Sequence, residues 1–223
     1  GFVGHDVVLG YTSLQPFKGV WSRSVRVASL CLSAGGIADA VAGAPWRGEL
    51  SNLGFTKSVY YGARGFNHLN LNSGEDDLFV SKIATRENTS LVLGGPATMT
   101  RRVWGGYGWW KEQRLAHAPL HRHYSARIKW LRGVELWSRA LFVLSVVGVA
   151  LLLPPVAGYV ALGMWVVREA AAMLVALRTA RRLSERCSLA VYPLYDLVAP
   201  AIELALYVKR IFAPKHTWKS KST

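Results

Sequence analysis

From Ala140 to Val167 the chain carries no charged residue, reading ALFVLSVVGVALLLPPVAGYVALGMWVV. So long an apolar run is stable where backbone groups bond within the segment and side chains meet hydrocarbon, as in bilayer-spanning helices. Pro154 and Pro155 interrupt it, and proline stops or starts a helix but rarely sits inside one. The run therefore predicts a helical hairpin, about Val134 to Leu153 and about Val156 to Leu177. Hydrophobic residues make up 51% of the chain and the mean hydropathy is +0.19, which is high for a soluble protein. The class implied is a membrane protein with a polar N-terminal part.

The net charge of +14 admits two partners, nucleic-acid phosphates or the headgroups beside membrane helices. With the apolar run present, membrane lipids are the expected partner and nucleic acid is not. Between Arg101 and Arg132 basic residues mix with Trp104, Tyr107, Trp109, Trp110 and Tyr124, and Glu112 is the sole acid. This is the composition of a segment lying at a membrane interface. Glu135 and Arg139 can snorkel near a helix end. Arg168 and Glu169 either pair with protein groups or mark an early exit from hydrocarbon. Leu189 to Val208 is apolar but holds Pro193, Asp196, Pro200 and Glu203, so an interfacial or re-entrant helical hairpin broken near Ala199 and Pro200 is predicted.

The first hundred residues read as mixed α/β. Val7 to Leu9 is a short strand, Val25 to about Val41 has helical periodicity, and a strand and turn are expected in "ELSNLGFTKSVYYGARGF". Leu78, Phe79, Ile83 and Ala84 mark one helix face, and Thr89 to Leu93 a further strand. Strand, helix and strand in this order imply an α/β layer. The organisation expected is 1–100 α/β, 101–133 interfacial, 134–177 transmembrane hairpin, and 178–223 basic loop, interfacial or re-entrant helices and basic tail. Cys31 and Cys187 have no metal-ligand neighbours at short spacing, so packed thiols in a reducing compartment are expected. His117, His121 and His123 could gather a metal, but no nearby Cys or acid completes a set, and polar interfacial residues are the preferred reading.

Three consecutive acids, Glu75, Asp76 and Asp77, follow Gly74 at the start of that helix. Carboxylates there are stabilised by exposed amides and the helix dipole, so a solvated cap is one reading. A hard-cation site is a second. The third is a general base, because crowded carboxylates favour protonation and move toward useful basicity.

The segment "GFNHLNLNSGEDDLFV", together with "VVLGY" at Val7 to Tyr11, Gly48 with Asn52, Leu53 and Phe55, and "NTS" at Asn88 to Ser90, resembles the C-terminal part of bacterial membrane glycosyltransferases of family 2, of a Bacteroidetes type. The likeness extends through the Trp-rich basic stretch to "LYDLVAPAIELALYV" and "KHTWK", and so over nearly all of the chain. It implies an α/β partial catalytic domain, the acceptor half of a Rossmann-like glycosyltransferase fold, followed by an α-helical transmembrane region. It further implies inverting transfer from a nucleotide-sugar donor to a lipid-linked or glycan acceptor. Asp76 would be the general base, with Glu75 and Asp77 orienting it or the acceptor. Donor or acceptor binding would involve Asn52, Trp110, Gln113, Arg114 and His117, the last four matching a W-x-x-Q-K-x-R-H-like motif. Ala116 stands where that motif has an arginine.

The family places its nucleotide-binding half, with a D-x-D metal motif, before the region where this chain begins. No D-x-D occurs in these residues, so a fragment lacking that half is expected. The Mg2+ or Mn2+ of the complete enzyme would have its main ligands outside this chain, and no metal ligand is assigned within it. The resemblance implies a multi-pass protein of the bacterial inner membrane with its catalytic part in the cytoplasm; the oligomeric state is left open. The competing reading is a non-catalytic basic membrane protein, or a degenerate transferase remnant, whose acids only cap a helix.

Overall fold

The computed structural model describes residues 2–19, 21–65, 75–103, 106–117, 120, 124–186 and 189–212, with backbone alone at 75 and 210–212. The expectations for Cys187 and for the tail motif at 215–219 lie outside them. Small mixed sheets come first and long apolar helices follow. β1 (Val7–Gly10) is the middle strand of three. It runs antiparallel to β3 (Leu53–Phe55) and parallel to β4 (Thr89–Val92), with Val8 opposite Gly54 on one side and Ser90 on the other. β2 (Thr12–Leu14) pairs in parallel with β5 (Met99–Arg101), Ser13 facing Thr100.

Alternation decides which face of β1 is covered. Val7 and Leu9 are buried and pack with Val80 of α3 (Glu75–Ile83), joined by Ala40, Leu53, Ile83 and Leu91, as a period of two requires. α1 (Ser22–Val41) ends just before Gly43, which has φ +81°. Val27 and Leu30 on α1 enter a second core with Tyr11, Ala180, Leu183, Leu189 and Tyr192, and Cys31 packs beside it. α2 (Lys57–Gly62) is a short helix capped by Thr56.

α4 (Gly106–His117) is followed by the long antiparallel pair α5 (Ala126–Leu152) and α6 (Pro155–Arg182). α5 starts well before the predicted Val134, because the Ser125 hydroxyl accepts the Ile128 N–H at 3.4 Å and caps it. Residues 126–133 of the expected interfacial segment thus form the first turns of α5. Pro155 begins α6 at a position where a missing N–H costs nothing. Leu141, Leu144, Val147 and Leu151 on α5, and Val156, Val160 and Val167 on α6, point outward. Among the described residues four helices are long and apolar enough to cross a membrane: α1, α5, α6 and the one within Leu189–Lys209. α1 differs from α5 in that much of it is covered by protein.

The last helix corrects the sequence-based expectation. α7 (Tyr192–Phe212) is continuous, with Pro200 inside it and no break near Ala199. Pro200 removes one helix N–H, the one that would meet the Asp196 carbonyl. Buried Ala199 and Asp196 hold that turn against neighbouring helices, and packing of this kind carries a proline through a helix.

The end of α6 is tied to the α/β part. Glu185 accepts hydrogen bonds from the Tyr11 hydroxyl at 2.7 Å and the Arg26 guanidinium at 2.9 Å, and Arg26 also donates to the Arg186 carbonyl at 2.9 Å. The Gly95 N–H donates to Ser184 Oγ at 2.8 Å and the Thr98 hydroxyl to the Leu183 carbonyl at 2.7 Å. Gly94, at φ +80°, allows this approach, since a β-carbon there would lie 2.4 Å from the Arg182 carbonyl oxygen.

The Glu185 side chain is 2% exposed and that of Arg26 is 9%. Glu185→Ala would leave Arg26 buried without its counter-charge, a change that costs on the order of 3–5 kcal/mol. A large fall in thermal unfolding temperature in detergent micelles is expected, and an unchanged temperature would contradict the role assigned to this tie.

Candidate active site

The first turn of α3 is built by its own acids and by the extended segment Arg47–Leu50. Asp76 accepts the Asp77 N–H at 3.0 Å with one carboxylate oxygen and the Leu50 N–H at 3.1 Å with the other. Asp77 turns inward. It accepts the Gly48 N–H at 3.3 Å and the Tyr124 hydroxyl at 3.4 Å, and Arg47 Nη1 lies 3.9 Å away. Gly48 is required at this crossing, where a β-carbon would meet Val80 Cγ2 at 2.7 Å. Glu49 is held by the Ser33 hydroxyl of α1. Trp46 donates to Asp39 at 2.8 Å, stands edge-on to Tyr124, and carries Arg132 of α5 over its ring at 5.6 Å.

Burial pushes the Asp77 carboxyl up to about 6; the Arg47 charge pulls it back and the Asp76 charge adds to the rise. Burial, and then the Asp77 charge, raise the Tyr124 phenol well above its ordinary range. Burial opposes the charge on Arg47, but the carboxylates of Asp77, Glu49 and Asp76 outweigh it and its pKa rises.

Asp77 faces a cavity of about 430 Å³ between the α/β part and helices α4, α5 and α7. Trp110, Arg114 and His117 of α4 also line it, so four of the residues singled out from sequence meet there. Arg114 reaches across to Glu203 of α7 in a close ion pair. The His117 ring bonds the Gln113 carbonyl at 2.8 Å, and the Gln113 side chain is not part of the lining. Asn52 is elsewhere. Its amide nitrogen donates to the Tyr11 and Ala97 carbonyls, both at 2.8 Å, and so links the segments beside the two sheets. Asp76 is half-buried beside the cavity wall rather than in it. The Glu75 side chain, Gly74, Trp104, His121 and His123 lie outside the described residues.

Arg47, Trp46, Tyr124 and Glu203 at this site were not recognisable beforehand. The only signal was the Gly48 match, which places a close backbone crossing beside Arg47. Charges inside the helices are also paired: Arg139 donates to Asp196 at 3.3 Å and Glu135 at 3.0 Å, and Arg168 bonds both Asp196 and Glu169. Of the two alternatives for Arg168 and Glu169, pairing with protein groups is the one found.

Among the described residues no three His, Cys, Asp or Glu side chains gather as metal ligands, and both oxygens of Asp76 already accept backbone N–H groups. These residues do not by themselves fit a divalent cation. The chain matches no protein-family model, no curated protein and no solved structure.

A carboxyl whose folded pKa exceeds its unfolded value near 3.9 makes folding take up a proton between the two. Its contribution to stability is therefore greatest below about pH 4 and is lost as pH rises to about 6. The difference corresponds to at most about 3 kcal/mol. Asp77→Asn removes this titration, so the variant should gain in unfolding temperature relative to the parent as pH is raised from 4 to 6.5. Parallel pH profiles would refute the raised carboxyl.

Proposed function

We propose that this chain is the acceptor-side and membrane part of a family 2 glycosyltransferase with a Rossmann-like catalytic fold, moving a sugar from a nucleotide donor to an acceptor at the membrane. The observation that carries the reading is the division of labour between two adjacent carboxylates, Asp77 lining a cavity between the α/β part and the long helices and Asp76 beside its wall. Asp77 is 3% exposed and bound to Gly48, Tyr124 and Arg47, which makes it a positioning residue for the turn. Asp76, held by two backbone amides yet half-exposed, is the base.

In the proposed reaction Asp76 takes the proton of an acceptor hydroxyl as that oxygen bonds to the anomeric carbon. The bond from that carbon to the donor diphosphate breaks on the opposite face, and the nucleoside diphosphate leaves with the electron pair. The product is a glycoside of inverted configuration. Trp110, Arg114 and His117 line the acceptor cavity. No step is assigned to a cation, and the donor-binding residues are not among those described.

The basic ends of α5 and α6, Arg127 to Arg132 and Arg178 to Arg186, lie on the same end of the hairpin as the α/β part. Lys and Arg near helix ends favour the cytoplasmic side, which supports a multi-pass protein of a bacterial inner membrane with its α/β part in the cytoplasm. The non-catalytic reading has one observation in its favour: Asp76 also satisfies a backbone N–H in the first turn of α3.

Asp76→Asn separates the two readings. An amide has one oxygen to offer the two backbone N–H groups and cannot take a proton, and general-base catalysis is worth about a hundred to ten thousandfold. In membranes containing the natural protein, assayed against a panel of nucleotide sugars, the variant should lose transfer by at least about a hundredfold while losing no more stability than one hydrogen bond provides, about 1–3 kcal/mol. Undiminished transfer would exclude Asp76 as base, and no transfer by the parent with any donor would favour the non-catalytic reading.

A further inference from the structure

Helix α4 is a single-layer wall of the cavity beside Asp77. Trp110, Arg114 and His117 line the space, and their spacing of four and then three residues puts them on one face of the helix. Gly108, Lys111 and Glu112, on the other side, are exposed. No residue of this helix is buried, although Tyr107, Trp109 and Trp110 belong to it. A helix held by packing normally buries an apolar stripe. α4 lacks one, so few buried contacts keep it in place, as is typical of segments that open locally.

Its attachments divide by position. At the start of the helix the Tyr107 ring lies 5.1 Å from that of Trp21, just before α1, and 5.7 Å from that of Trp110. Arg101 sits over the Trp109 ring at 5.1 Å. Toward its end, the one ion pair that α4 makes among the described residues joins Arg114 to Glu203 of α7. The His117 ring beyond it bonds within the helix, to the Gln113 carbonyl. Both members of the ion pair line the cavity, so the contact joins the α4 wall to the α7 wall. The Arg114 side chain is 17% exposed and that of Glu203 43%, and a pair so open to solvent is weak and screened by salt.

We propose that the Arg114–Glu203 pair is a latch and α4 a lid. With the pair made, α4 closes the cavity against α7. With it broken, the end of α4 swings out about the aromatic contacts at its start and opens a way to Asp77. A latch that is to open thermally has to be weak, and a partly exposed pair biases the two states by about fivefold at most. The identity of what enters rests on the transferase reading, in which the lid covers the acceptor cavity, but the opening itself stands apart from it.

Cys31 of α1 is a built-in reporter, being half-buried and among the residues that line the cavity. In the natural protein carrying Cys187→Ser, alkylation of Cys31 by the neutral reagent N-ethylmaleimide can be followed by mass spectrometry, in detergent and without any sugar donor. Glu203→Gln and Arg114→Gln should each raise the rate by about fivefold. The two variants have opposite direct effects on the thiol, because losing a nearby negative charge favours the reactive thiolate and losing a positive one disfavours it. A rise in both therefore reports opening. A rise in Glu203→Gln with a fall in Arg114→Gln would report electrostatics alone and overturn the latch. The exchanged pair, Arg114→Glu with Glu203→Arg, should return the rate to near that of the natural protein, which a loosened fold would not do. Added salt should speed alkylation in the natural protein and in neither single variant. Equal rates in all four proteins, or an exchanged pair as fast as the single variants, would also overturn the proposal. Since no donor is present, a failed latch leaves the transferase reading as it stands, and a protein that transfers no sugar can still show the latch.

Discussion

The buried carboxylate of Glu185 joins parts of the chain that have little else in common. It lies just past the end of α6, yet it binds Tyr11 from the strand region and Arg26 from α1. A carboxylate taken out of water is costly unless its oxygens are satisfied, and both are satisfied here by groups from the α/β part. Apolar packing of Val27 and Leu30 with Ala180, Leu183 and Tyr192 surrounds the tie. Packing alone tolerates sliding, whereas a buried ion pair with a second hydrogen bond admits one register. The cavity is bounded by α1, α4, α5 and α7, so its shape follows from where this tie sets the helices.

The same economy governs the charges inside the helical region. Asp196 is 4% exposed, and its two oxygens receive Arg139 from α5 and Arg168 from α6. One acid therefore binds two neighbouring helices to α7. This explains how Arg168 and Glu169 are tolerated within a long apolar helix, and why α7 stays whole across Pro200. Low dielectric strengthens such pairs once formed, and charged residues at membrane depth typically face protein for that reason.

Some of this was legible in the sequence because it depends on local periodicity. The short apolar run at Val7 to Leu9, the helical spacing from Val25 and the uncharged run from Ala140 each dictated an element that the structure contains. Proline was legible at Pro154 and Pro155, where it falls between helices, and misleading at Pro200, where packing overrides it. Asn52 illustrates the limit at the site. The resemblance implied a binding role for it, while the hydrogen bonds of its amide, which link two strand regions far apart in the chain, had no local signal. Arg47 and Tyr124 were not legible as site residues, since their meaning there comes from Asp77.

The sequence by itself determined a basic chain with helices apolar enough to cross a membrane and a small α/β part, and it singled out the acidic helix start as chemically unusual. These follow from composition, hydrophobic period and helix-end electrostatics, all properties of short stretches. Only the tertiary structure decided that Asp77 is the buried acid and Asp76 the accessible one. A one-residue step on a helix turns a side chain by about a quarter of a turn or more, and which direction is inward depends on Arg47, Gly48 and Tyr124, contributed by remote parts of the chain.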